Sequence, residues 1–258
     1  MAATNELSGA EIEGRDIVQH LLAQRPAENF TNSATLRIRD ARRQRTEAQV
    51  ELQTFVTETN WQALYFTRGT NKDHAASLTV IHTENRPNEY RLANFSRPAG
   101  DTNESITLHG PQAMIPFAGS DFWLADLGLE FLHWPDQRLL KKELKRSQSC
   151  YVLESRNPGR ESSVESREPN GPLTLDPRPS TTEYVRVVSW MDIDSVRDAG
   201  QAAIVLAEAY DAKGRLVKEF EPKGITKVHG QWQLEEMEIR NAKTGSRTSI
   251  KFNLERQP

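Results

Sequence analysis

The chain has 258 residues, 36% of them hydrophobic and 27% charged, with 33 Lys and Arg against 36 Asp and Glu for a net charge of −3. That is one ordinary domain or two small ones, with apolar mass for a core but without the positive excess that generic nucleic-acid binding needs. The longest aliphatic stretch, Ala202 to Ala207, falls far short of the roughly 20 residues of a membrane-spanning helix, and the lone Cys150 can form neither an internal disulfide nor a thiolate metal cluster.

The first residues, Met1 to Glu6, have neither the basic nor the apolar region of a secretory signal. Two readings stay open at this point, a cytoplasmic protein or a mature domain whose leader has been removed. Ser8 and Glu11 then form an S-x-x-E capping box, in which the two side chains satisfy orphan amide donors at a helix start. Ile17 with Leu21, and Val18 with Leu22, share a face of that helix, and Pro26 stops it.

From Ser33 the apolar period changes from helical to two. Ala34, Leu36 and Ile38 lie on one side against Thr35, Arg37 and Arg39, and Ala48, Val50 and Leu52 repeat the pattern. Further strand-like runs are Trp61 to Phe66, Leu78 to His82, Tyr90 to Ala93, Leu139 to Leu144, Cys150 to Glu154, Tyr184 to Trp190, Ile204 to Tyr210, Leu216 to Phe220, Ile225 to His229, Met237 to Arg240, and Ile250 to Leu254. Asp211 to Gly214, His229-Gly230 and Asn241 to Gly245 place glycine where a hairpin needs positive φ. Short strands joined by tight turns predict a mainly β (α+β) fold: a curved antiparallel sheet, or incomplete β-barrel, of about 11 strands, with helices covering its concave face.

Two segments interrupt the pattern. Residues 155–182 hold five of the 13 prolines among Ser and charged residues, and read as a disordered hairpin insertion; residues 1–8 read as a flexible N-terminus of a single domain. Ser120 to Trp134 concentrates eight large apolar side chains, Phe122, Trp123, Leu124, Leu127, Leu129, Phe131, Leu132 and Trp134, behind Ser120 and Asp121, which are placed to cap a helix. Such a segment needs a surface to cover. Either it completes the core, or it lids a cavity whose candidate lining is Leu36, Ile38, Val50 and Leu52 on the sheet and Phe122, Trp123, Leu127, Phe131 and Trp134 above it.

Little else carries chemistry. The six histidines show no metal-binding spacing, the nucleophile-elbow and phosphate-loop motifs are absent, and Cys150 alternates with Val152 as a packing residue. Asp192 and Asp194 start like a calcium loop but lack its glycine and terminal glutamate, which leaves caps and turns. No catalytic residue, metal site or cofactor is expected. The basic runs Arg37, Arg39, Arg42, Arg43, Arg45 and Arg138, Lys141, Lys142, Lys145, Arg146 are either solvated strand faces or charges flanking a cavity mouth that meet an anionic head group or acidic partner.

Gly119-Ser120-Asp121-Phe122 followed by Asp126-Leu127 resembles the G-S-D-F-x-x-x-D-L signature of outer-membrane lipoprotein-sorting-like (LolA-like) proteins. The downstream half is similar as well: Tyr184-Val185-Arg186, Trp190-Met191-Asp192, Tyr210-Asp211 through Gly214, Leu216 and Lys218, Lys227-Val228, Gly230, Trp232, Met237, Asn241, Thr244-Gly245 and Thr248. The resemblance spans residues 117–254, about half the chain. It implies a periplasmic half-barrel with its leader removed, the motif Gly119, Ser120, Asp121, Phe122 and Asp126 serving as a lid, and a non-enzymatic role in holding lipid or lipoprotein acyl chains. The competing expectation is a cell-envelope interaction or sensor domain that uses the same fold to contact an envelope protein. Neither expectation includes nucleic acid or a membrane span.

Overall fold

A computed structural model describes residues 7–69, 76–94, 105–157, 184–197, 204–228 and 231–254. Helix α1 is Gly9–Leu22, and its capping box forms as the spacing predicts: the Glu11 amide donates to Ser8 Oγ at 3.4 Å and the Ser8 amide to Glu11 Oε2 at 2.7 Å. Ile17 and Val18 are its buried apolar residues. Gly14 matters for a different reason, since a Cβ there would stand 2.8 Å from the backbone of Arg138 and Leu139. Only glycine lets the helix lie this close to the strand beneath it.

Among the described residues thirteen strands form one antiparallel sheet. They are β1 Phe30–Arg39, β2 Arg45–Val56, β3 Asn60–Gly69, β4 Ala76–Thr83, β5 Glu89–Asn94, β6 Ile106–His109, β7 Asp136–Lys145, β8 Gln148–Arg156, β9 Arg186–Asp192, β10 Ile204–Tyr210, β11 Leu216–Val228, β12 Gln231–Asn241 and β13 Arg247–Phe252. Their order is β6-β5-β4-β3-β2-β1-β13-β12-β11-β10-β9-β8-β7. Two meanders therefore meet where β1 pairs with β13, in the register Leu36↔Ile250 and Ile38↔Thr248. The first and last strands sit inside the sheet, and β6 and β7 are its edges.

This arrangement decides what residues 110–135 do: they join one edge of the sheet to the other. The segment folds into a 3₁₀ turn at Gly110–Ala113, a single helical turn α2 at Leu124–Leu127 and a second 3₁₀ turn at Glu130–His133. Between them the chain doubles back, with the Leu124 amide donating to the Ile115 carbonyl and the Phe117 amide to the Phe122 carbonyl. With these turns its reach is about 40 Å, whereas thirteen flat strands would be about 58 Å across. The sheet is therefore curved rather than flat, and it stays open between β6 and β7. One buried cluster runs along its inner face from Leu78, Val80 and Tyr90 through Leu36, Val50 and Ile250 to Leu153 and Met191, and includes Phe117, Phe122, Leu124 and Trp134 of the crossing segment with Ile17 and Val18 of α1. Along β8 the alternate residues Cys150 and Val152 enter a second cluster with Val188, Trp190, Val205 and Leu206, on the opposite face.

The differences from the sequence reading have local causes. Leu216 to Phe220 and Ile225 to Val228 are one strand, β11, because Pro222 and Gly224 are absorbed as a bulge in its pairing with β12. Strand β6 is four residues long with Ile106 exposed, too short and too wet to show an alternation. Ser120 and Asp121 do not cap a helix; α2 begins at Leu124, with Asp126 Oδ2 accepting from the Trp123 amide at 2.7 Å, because Asp121 is engaged elsewhere. Asp192, by contrast, does cap a short helix, α3 (Ile193–Arg197), through the amide and hydroxyl of Ser195. Gly214 and Gly245 both have φ of +73°, as their turns require; Gly230, residues 1–6 and residues 158–182 of the insertion lie outside the described residues. The insertion joins neighbouring strands, since β8 pairs with β9.

Candidate functional site

The crossing segment is held by two aspartates. Asp121 Oδ1 accepts from Ser246 Oγ at 2.6 Å and Asn241 Nδ2 at 3.3 Å, Oδ2 accepts from Thr248 Oγ1 at 2.9 Å, and the Asp121 amide donates back to Thr248 Oγ1 at 3.0 Å. Asp126 Oδ2 pairs with Lys218 Nζ at 2.7 Å, and its Oδ1 accepts from the Tyr184 hydroxyl at 2.8 Å. Lys218, 3% exposed, also donates to the Asp121 carbonyl at 3.0 Å and lies 3.6 Å from the centroid of the Trp123 ring. Burial lowers the Lys218 ammonium below its ordinary range, with Asp126 opposing the shift, and burial followed by the Asp126 charge raises the Tyr184 phenol. Trp123 stacks on Tyr184 at 5.4 Å, and Trp134 meets the same ring at 5.8 Å. The void left among Asp126, Phe131, Tyr184 and Lys218 is only about 30 Å³. This half of the segment is a clip.

The other half borders open space. A cavity of about 990 Å³ lies between the second half of α1, strands β1 to β4, the β4–β5 turn and residues 127–137. Its apolar wall includes Val18, Leu21 and Leu22 from α1, Phe30 and Leu52 from β1 and β2, Trp61 and Tyr65 from β3, and Leu127, Leu132 and Trp134 from the crossing segment. Trp61 is stacked on His82 with ring centroids 3.8 Å apart and planes 14° from parallel. Helix α1 is fastened there by the Gly14 contact, by Arg15 Nη2 donating to the Pro135 carbonyl at 3.3 Å and by the Arg138–Glu11 ion pair at 3.2 Å. Arg25, just past the helix, donates to the carbonyls of Thr57, Glu58 and Asn60 in the β2–β3 turn.

Buried polar groups cluster beside this space. The Tyr90 hydroxyl donates to Glu130 Oε2 at 2.8 Å, and Asn88 Nδ2 donates to the Gly128 carbonyl at 2.7 Å. Burial pushes Glu130 up to about 7 against the pull of its Tyr90 and Asn88 hydrogen bonds, and pushes His82 down to about 4. His133 is lowered by the same cause. Both imidazoles are therefore neutral hydrogen-bonding groups near pH 7. On the cavity wall the buried atoms Gln24 Nε2, Asn60 Oδ1 and His133 Nε2 have no hydrogen-bond partner among the described residues. Buried polar atoms ordinarily have one.

A family model describing uncharacterised proteins matches residues 100–255, more than half of the chain. The chain belongs to the outer-membrane lipoprotein-sorting-like (LolA-like) family. Solved structures with the same fold include a DUF1329 family protein from Desulfovibrio piger (18% identity, TM-score 0.67, covering 95% of this chain and 92% of that one). A domain from Vibrio parahaemolyticus, assigned as an outer-membrane lipoprotein-sorting protein, is 18% identical with a TM-score of 0.68, covering 94% and 91%. A LolA superfamily protein from Nitrosomonas europaea is 14% identical with a TM-score of 0.56, covering 97% and 96%. No curated protein is similar enough to match.

The residues that carry the LolA-like resemblance are far apart in sequence, yet Asp121, Phe122, Asp126, Tyr184, Lys218, Asn241 and Thr248 meet at the clip. Gly119 (φ +68°) makes the turn that starts it, and Ser120 Oγ accepts from the Phe122 amide at 3.1 Å. Of the residues read as cavity lining, Leu52, Leu127 and Trp134 stand on the wall of the 990 Å³ cavity, and Phe131 on that of the 30 Å³ void. Leu36, Val50 and Phe122 are fully packed in the core, with Ile38 and Trp123 half-buried against it. Reading along the strands missed Trp61, Tyr65 and His82, whose inner faces become cavity wall only because α1 stops short of filling it. It also missed Glu130, although a lone acid inside Leu129-Glu130-Phe131-Leu132 was a visible signal. The two basic runs stand apart from the mouth: Arg37 pairs with Glu47, Lys141 with Glu143 and Arg146 with Glu221, and Lys145 lies over Trp190.

Proposed function

We propose that this LolA-like chain is a periplasmic, non-enzymatic carrier that holds the acyl chains of a lipid or lipoprotein in the cavity bounded by α1, β1 to β4 and residues 127–137. The observation that carries the reading is the cavity itself. Its volume of about 990 Å³ lies at the upper end of the roughly 300–1,000 Å³ usual for small-molecule sites, and its apolar wall of Leu, Val, Trp and Tyr suits hydrocarbon. Each methylene taken from water contributes about 0.8 kcal/mol, so ten of them supply about 8 kcal/mol before the cost of ordering the chain. Family membership and the neighbour assigned to lipoprotein sorting support the same reading and favour the periplasm. No catalytic group is required; among the described residues no cluster of His, Cys, Asp and Glu is set to hold a metal ion, and no helix is long and apolar enough to cross a membrane.

The test is lipid recovery. Protein purified from cells and analysed by native mass spectrometry and solvent extraction should carry lipid, and a fluorescent fatty-acid probe should bind and be displaced by unlabelled fatty acid. Leu52→Trp, which puts an indole into the space, should remove probe binding while leaving the fold intact by circular dichroism. Repeated recovery without lipid together with no probe binding would sink the reading.

A further inference from the structure

The charged residues on the cavity wall are Arg15, Arg25, Arg86 and a single acid, Glu84, in a chain whose net charge is −3. None of the three guanidiniums pairs with a carboxylate among the described residues. Arg15 and Arg25 are held by neutral carbonyls instead, at Pro135 and in the β2–β3 turn, so their positions are set while their charges stay uncompensated. Asn60 pairs with Thr83, which brings the β2–β3 turn beside the β4–β5 turn that carries Arg86. The residue preceding Arg25 adds a donor: Gln24 Nε2 is buried at the cavity wall with no partner among the described residues. Cations and an unused N–H group thus share the wall of an apolar space.

Resting on the acyl-carrier reading above, we propose that this site selects an amphiphile with an anionic head, a carboxylate or phosphate ester, whose head sits among Arg15, Arg25 and Arg86 while its chain lies against Trp61 and Trp134. Guanidinium groups suit both heads, because their planar donor fork matches two oxygens at once.

Calorimetric titration with decanoate, 1-decanol and inorganic phosphate separates head from tail. Decanoate should bind at least about tenfold more tightly than decanol at low ionic strength, the effect expected of one charge-assisted contact. The gap should narrow in concentrated salt, because the rim is exposed. Arg86→Gln should reduce it and Arg15→Gln/Arg86→Gln abolish it; Arg42→Gln in the β1–β2 turn, equal in charge and remote from the cavity, should preserve both the gap and decanol binding. Equal affinities for decanoate and decanol overturn the inference and leave the acyl-carrier reading standing. Failure of both to bind overturns the two together. A gap that survives the double substitution, or phosphate alone binding as tightly as decanoate, also refutes it.

Discussion

Between Asp121 and Asp126 the crossing segment lies on β11 to β13 with its carboxylates fully engaged and a void of only about 30 Å³ beside it. From Leu127 to Pro135 the same segment borders a cavity of about 990 Å³, with His133 Nε2 and other wall atoms unpartnered among the described residues. The two stretches are equally rich in large apolar side chains, so composition does not separate them. What separates them is the surface opposite. On one side Lys218, Tyr184 and Thr248 reach up to meet the segment, and on the other α1 is packed tightly on β7 and leaves inner-face residues of β2 and β3 beside open space. An anchored stretch continuous with a bridging one can hold a roof in place without filling the space below.

The largest expected effect is on the anchored side. Asp126→Ala leaves the Lys218 ammonium buried without its counter-charge and the Tyr184 hydroxyl without its acceptor, and should cost about 3–5 kcal/mol in chemical denaturation. Because a buried ion pair can be replaced by apolar groups at little cost, Asp126→Leu/Lys218→Met should lose far less than Asp126→Ala. A double variant as unstable as the single one would mean that the clip supplies stability as well as position, and would weaken the contrast.

The next effect is on pH dependence. Burial raises Glu130 from 4.5 to about 7, so its contribution to stability is full below pH 4.5 and is lost as pH rises through 7, a change on the order of 3 kcal/mol. Relative to the native chain, Glu130→Gln should therefore gain stability between pH 4.5 and 8 in urea melts. His82, lowered from 6.5 to about 4, has the opposite sign: its contribution is full above pH 6.5 and is lost as pH falls through 4, so His82→Gln should gain toward acid. Stability curves parallel to that of the native chain in both variants would show that these groups are solvated rather than buried beside the cavity.

The smallest effect on stability belongs to the bridging side. Leu127→Ala removes a half-buried side chain that already faces space, so it should cost about 1 kcal/mol, below the usual 2–5 for a packed leucine. Its effect on fatty-acid probe affinity should be larger than its effect on the melting midpoint. The reverse outcome would show that Leu127 is core rather than wall.

Much of this architecture was legible in the chain. The capping box and Pro26 bound α1, alternation in β1, β2 and β13 with strand-like runs elsewhere touched twelve of the thirteen described strands where about 11 were expected, and the apolar density of residues 120–134 marked the segment that crosses the sheet. These are local signals, set by the periods of helix and strand and by the conformations that glycine and proline allow. Alternation says which side chains share a face, but not which distant strand lies alongside. The pairing of β1 with β13, which makes β6 and β7 the edges and sends residues 110–135 across the face, was therefore invisible. So were the targets of Asp121 and Asp126, since Lys218, Asn241 and Thr248 follow them by about a hundred residues. The arginines illustrate the same limit. The dense runs at 37–45 and 138–146 were the conspicuous ones, yet none of their residues lines the cavity, and the three isolated arginines at positions 15, 25 and 86 all stand on its wall. By itself the sequence determined most of the elements, their faces and the family; the tertiary packing alone decided which apolar surface is packed and which lines a cavity, because burial depends on what folds back from far along the chain.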